Sequence, residues 1–210
     1  MNTFETDVVG RVLRATTSKY TCGTHSLKID NRHDFGAFVK APIANDAGCY
    51  VIGLIYAVEI KDDQLINELV MADGVHPNVL RDQRENRLVP VEIDVLSVGY
   101  GYCDERGQVT RNIQSLPPRP PMSLSDVQLC SAEEVFLFTQ SCDYFRLVIA
   151  ASDVPSDDLL AACLHYAQGA YQEADRYNFM VRCGRHLARL MGNDLKRLSH
   201  VLTLIRPETP

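Results

Sequence analysis

Seven cysteines and six histidines are the side chains best suited to chemistry in this chain, and their spacing limits what they can do. Cys183-x-x-His186 and Cys163-x-His165 have the short separations of zinc half-sites. A structural zinc draws on two such pairs brought together, and on amphipathic helices the plainer reading is core cysteine beside surface histidine, so no metal is expected. A nucleophilic thiol needs a base and an electropositive setting. Cys142 is followed by Asp143 and has no base close in sequence, while Cys22-Gly23-Thr24-His25 is only slightly better; neither amounts to a site. No Walker-type loop, no Gly-x-Ser-x-Gly elbow and no His-Glu-x-x-His helix occurs in the sequence. Gly99-Tyr100-Gly101 has neither a third glycine nor a helix start behind it, and reads as a bulged strand. The chain is expected to be non-enzymatic, with no catalytic residue and no cofactor.

Charge offers a second kind of chemistry. From Asp126 to Asp175 there are nine acids and one arginine, whereas from Arg176 to Arg206 there are seven bases and one acid, so the two segments can lean on each other. Arg182, Arg185 and Arg189 form a stripe opposite the apolar face of a helical wheel. A solvated helix face explains that stripe fully; phosphate binding to a nucleic acid is the sharper alternative and is not favoured.

The elements that must carry these residues divide at Leu116-Pro117-Pro118-Arg119-Pro120-Pro121. Four of the ten prolines fall within five positions there, which fits neither a helix interior nor a central strand, and the segment is expected to run as a polyproline strut. Before it the chain alternates and is β-branched. Val8–Ala15, Thr24–Ile29, Phe35–Lys40, Cys49–Ile60, Val89–Cys103 and Gln108–Gln114 read as strands, with a hairpin turn at Asp104–Gly107. Gly53 is placed to kink the most apolar of them. In Val89–Cys103 one face is apolar throughout, while the other begins polar at Glu92 and Asp94 and turns apolar at Leu96 and Val98. Asp62–Met71 has the spacing of a short helix, and the charged run Arg81–Arg87 reads as a solvated connection.

After the prolines the period becomes helical. Ser131 with Glu134 makes a capping box that opens a helix to about Gln140. Tyr144–Ala150 reads as one more short strand on the barrel edge. Leu159, Leu160, Cys163, Leu164 and Ala167 form one apolar face, Tyr177–Met191 a second, and Leu195–Ile205 a last helix stopped by Pro207. The expected fold is α+β: a small Greek-key β-barrel over residues 1–122 and a mainly α-helical segment over 123–210.

The sequence, 210 residues with a formal net charge of −6, argues against coating nucleic acid or an anionic membrane through overall charge. Met1–Arg14 lacks the apolar core of a signal peptide, and Cys49–Ile60 falls short of the roughly 20 residues needed to cross a bilayer. An odd number of cysteines without a Cys-x-x-Cys pair suits reduced thiols, and a soluble cytoplasmic protein is expected.

Taken in order, Val9-Gly10-Arg11-Val12, Asp34–Val39, Tyr50–Tyr56, Val91–Val95 with Gly99-Tyr100, and the closing prolines resemble the HAS barrel over about residues 6–150. That barrel begins HerA-type DNA-translocating ATPases and the catalytic-ring subunits of rotary ATP synthases. The resemblance implies barrel-mediated assembly, as a homo-oligomer or with a separately encoded HerA-like ATPase. It implies no ATP hydrolysis, because no nucleotide-binding loop follows. Two other classes stay open: a nucleic-acid module using Arg182, Arg185 and Arg189, and a small-molecule protein or enzyme with a site between barrel and helices.

Overall fold

Among the described residues there are seven strands: β1 (Val8–Ala15), β2 (Lys19–His25), β3 (Phe38–Pro42), β4 (Cys49–Ile60), β5 (Pro90–Cys103), β6 (Val109–Ile113) and β7 (Asp126–Leu129). The computed structural model describes residues 7–46, 48–61, 81, 89–104 and 109–206. Every pairing is antiparallel, in the order β1–β7–β3–β4–β5–β2, and β2 returns to β1, so six strands close a barrel. On β5 the first half pairs with β2 and the last residues pair with β6, which lies outside the ring. The expected helix over Asp62–Met71, the charged run beyond Arg81 and most of the Asp104–Gly107 turn lie outside the described residues.

The apolar density of β4 follows from burial on both faces. Val51 and Ile55 point into the barrel with Val9, Val12, Val39, Ile93 and Val95, while Tyr50, Ile52 and Leu54 point outward under the helices. Successive side chains of a strand alternate, so covering both faces demands a continuous apolar run. The change of character along β5 has the same cause. Glu92 and Asp94 face solvent beside Arg14 and Thr21, and Leu96 and Val98 lie beneath the helices. At Gly53 the β4–β5 register shifts, as expected of a kinked strand.

Beyond β7 come α1 (Ala132–Phe138), α2 (Phe145–Ile149), α3 (Ser156–Gln168), α4 (Glu173–Leu190) and α5 (Leu195–Leu204). The capping box opens α1 as expected: the Glu134 amide donates to Ser131 Oγ at 3.2 Å, and the Ser131 amide donates to Glu134 Oε2 at 2.9 Å. Phe38 joins the halves. Its buried ring meets Phe138 and Tyr144 edge-on, each at 6.1 Å between centroids. The acidic and basic segments touch through Arg197, which pairs with Asp157 at 2.7 Å.

Three expectations are corrected. The strand expected at 144–150 is α2: Tyr144, Phe145 and Val148 are buried on one helical face, and the Tyr144 amide donates to Gln114 Oε1 at 2.9 Å. The proline segment is not a strut leaving the barrel. Prolines lack amides but keep carbonyls, and Pro120 O accepts from the Ala44 amide at 3.3 Å while Pro121 bridges Ile43, so the chain folds back along the barrel wall. It then re-enters the sheet as β7 between β1 and β3, and the barrel therefore extends past residue 122. Finally, β2 begins at Lys19 and ends at His25, because Thr16 turns the chain with its amide and hydroxyl both donating to Lys19 O; Ser26–Lys28 is a 3-10 turn.

Candidate functional site

Two concavities deserve a chemical reading, one on each half. The first is a groove of about 740 Å³ between α4 and the turn 140–143, and it gathers residues that the sequence separates: Cys142 and Asp143 on one wall, Arg182, Arg185, His186 and Arg189 on the other.

The three stripe arginines enter this groove but do not share a role. Arg182 Nη2 donates to Thr139 O and to Tyr171 Oη, each at 3.0 Å, and its guanidinium lies 5.6 Å from the centre of the Phe179 ring. It ties the end of α1 to α4. Arg185 and Arg189 have no hydrogen-bond or ion-pair partner among the described residues. Two free guanidiniums on one groove suit an anionic group, since each offers a planar fork to a carboxylate or phosphate.

Cys142 is 5% exposed on the groove wall, and its Sγ lies 3.7 Å from that of Cys183, which is fully buried. The hydrogen bond shared with the Cys183 thiol, followed by the charge of Arg182, holds the Cys142 thiol below the usual thiol range, against burial and the charge of Asp143. Cys183 is pushed the other way by the same hydrogen bond and by burial. Asp143 accepts from Ser141 Oγ at 3.0 Å and so stays in the turn.

The metal-like half-motifs point apart. Cys183 faces Cys142 while the His186 ring packs edge-on against Phe145 at 5.6 Å. Cys163 donates to Leu160 O at 3.2 Å, and His165 Nε2 is 3.0 Å from Leu204 O. Among the described residues no group of three or more His, Cys, Asp and Glu is placed to hold a metal ion. Cys22 is sealed in the barrel core, where burial pushes its thiol up to about 12.

The second concavity is a hollow of about 630 Å³ on the barrel wall. Its floor includes Ala41, Cys49 and Tyr50, and its rim carries Met122, Leu124, Arg11 and Asp126. Leu124 is 73% exposed and Met122 47%, at a turn with Leu124 at φ 62°. A leucine there is strained. The turn is nevertheless pinned: the Leu124 amide donates to Val12 O and the Met122 amide to Pro42 O, each at 2.9 Å, and Ser125 Oγ donates to Met122 O at 2.6 Å.

No protein-family model matches the chain, and comparison with curated proteins finds no match.

Sequence reasoning reached the arginines but not the groove. Cys142 has no base or positive neighbour close in sequence, and both Arg182 and Cys183 reach it only through the packing of α4. Cys183 sat on the apolar face of its wheel, which foretold its burial but not its partner. Met122 and Leu124 carry no local signal beyond being apolar beside prolines.

Proposed function

We propose that the chain is a non-catalytic assembly module that associates with a second copy of itself through the hollow on the barrel wall. The observation that carries this reading is the Met122–Ser125 turn, which holds Leu124 outward in a strained backbone conformation beside an apolar floor. Strain persists where surrounding structure fixes it, and an exposed apolar side chain on a rigid turn next to a cavity suits docking. Knob and hole share one patch, as a two-fold interface requires. Arg11 and Asp126, exposed and 3.0 Å apart on the same rim, give the patch both signs of charge. A separately encoded HerA-like ATPase is the other occupant. Kinship with HAS barrels belongs to this proposal and rests on motif order together with the closed barrel. A cytoplasmic setting suits the seven free cysteines, and among the described residues no helix is long and apolar enough to cross a membrane.

The test is sizing of the intact chain beside Leu124→Asp. The wild type is expected as a dimer or larger and the variant as a folded monomer. An oligomer unchanged by Leu124→Asp would overturn the assigned surface, and co-elution of a HerA-type ATPase with a monomeric chain would transfer the role to that partner.

A second reading is favoured by the two unpartnered guanidiniums: nucleic-acid phosphate binding on the α4 groove. Because Arg182 holds Thr139 and Tyr171 in place, the informative variant is Arg185→Ala with Arg189→Ala. The reading expects binding that falls steeply with salt and is lost in that variant; salt-independent or absent binding in a gel-shift titration removes it.

A further inference from the structure

Two thiols separated by 41 residues lie together at the base of the α4 groove, with their sulfurs 3.7 Å apart. A disulfide requires about 2.05 Å, so the remaining closure of roughly 1.6 Å is small enough for two side chains to share. The two are not equivalent. Cys142, 5% exposed, lines the groove, whereas Cys183, fully buried, lies behind it on the inner face of α4. The hydrogen bond with Cys183 first, and then the adjacent Arg182 guanidinium, favours the Cys142 thiolate, the form that attacks a disulfide. Farther along the same groove, the guanidiniums of Arg185 and Arg189 have no partner among the described residues.

We propose that Cys142 and Cys183 form a thiol–disulfide exchange pair acting on a small disulfide with carboxylate-bearing arms, Cys142 attacking and Cys183 resolving. The Cys142 thiolate attacks one sulfur of the substrate; the substrate S–S bond breaks, and one arm leaves as a thiolate that takes up the proton Cys142 lost. A mixed disulfide then stands on Cys142. The Cys183 sulfur attacks Cys142 Sγ, the mixed bond breaks, and the second arm leaves with the Cys183 proton. Two protein thiols are thereby oxidised to one disulfide while the substrate disulfide is reduced to two thiols. Arg185 and Arg189 supply selectivity, because a guanidinium pairs with a carboxylate in bidentate fashion and a neutral disulfide offers it nothing. The exchange pair is independent of the assembly surface, which lies on the barrel.

The experiment treats the intact, reduced chain with oxidised glutathione or with the neutral hydroxyethyl disulfide, followed by peptide mapping by mass. In the wild type the expected product is a Cys142–Cys183 disulfide with the other five cysteines free. Cys183→Ser is expected to trap glutathione on Cys142, and Cys142→Ser to give neither product. Arg185→Ala with Arg189→Ala is expected to slow the glutathione reaction on the order of tenfold, as loss of charge-assisted hydrogen bonds would, and to leave the neutral disulfide unaffected. Wild-type mapping needs no variant to fold: absence of the Cys142–Cys183 bond, or adducts on Cys103 instead, overturns the pair. Equal slowing with both disulfides overturns the substrate class.

Discussion

A glycine in the barrel and a glycine in the helical half answer differently to one added methyl group. A Cβ on Gly53 would sit 2.3 Å from Val95 Cγ1 and 2.9 Å from the Leu96 carbonyl oxygen, where something must move. A Cβ on Gly184 of α4 would find Leu202 Cδ2 at 3.5 Å, an ordinary contact. One thiol from each half shows a similar difference: Cys22 is sealed among barrel side chains, and Cys142 meets a groove and an arginine. The β4–β5 wall has no room for a methyl group at Gly53 and the α4 surface has room at Gly184, beside a groove of mixed polarity. The two proposals follow this contrast, with assembly on the barrel exterior and thiol exchange on α4.

The largest expected effect comes from separating the halves. Phe38→Ala removes the ring that packs against Phe138 and Tyr144, and should lower unfolding stability by about 3–5 kcal/mol in urea titration. A loss below about 1 kcal/mol would mean that the shared core does not bind the halves together. Next, Gly53→Ala should cost about 1–3 kcal/mol through overpacking of the β4–β5 bulge. Gly184→Ala should act in the opposite direction, raising stability by about 0.5–1 kcal/mol, because alanine restricts the unfolded chain and suits a helix interior. The same sign at both positions would dissolve the contrast.

The smallest expected effect is on the barrel surface. Arg14 Nη2 lies 2.6 Å and Lys61 Nζ 3.3 Å from Glu92 Oε2, and Arg14 first, then Lys61, holds that carboxyl below the usual glutamate range. A carboxyl depressed in the folded state adds stability above its unfolded pKa and loses it as pH falls through the folded value. Solvent screening keeps the gain under about 1 kcal/mol. Thermal denaturation should therefore show Glu92→Gln slightly less stable than wild type at neutral pH, with the difference vanishing in acid.

These contrasts also explain what could be read before any coordinates. Burial on two faces from Cys49 to Ile55 writes itself as a continuous apolar run, so β4 was legible, and the switch of the outer face of β5 at Leu96 falls where the helices cover it. Ser131 and Glu134 satisfy each other locally, so the start of α1 was legible too. What failed depended on distant partners. Tyr144–Ala150 is apolar and short enough for either period, and Gln114, thirty residues earlier, caps it as a helix. The four residues of β7 are too few to announce a strand, and only the gap between β1 and β3 makes them one. The Cys142–Cys183 contact is of the same kind, created by packing rather than by spacing.

The most direct test of the assignment of assembly to the barrel is light scattering of the intact wild-type chain across a concentration range. The account predicts a mass that rises to at least twice the 23.5 kDa protomer. A constant 23.5 kDa at every concentration, with the hollow around Leu124 left open to solvent, would contradict it.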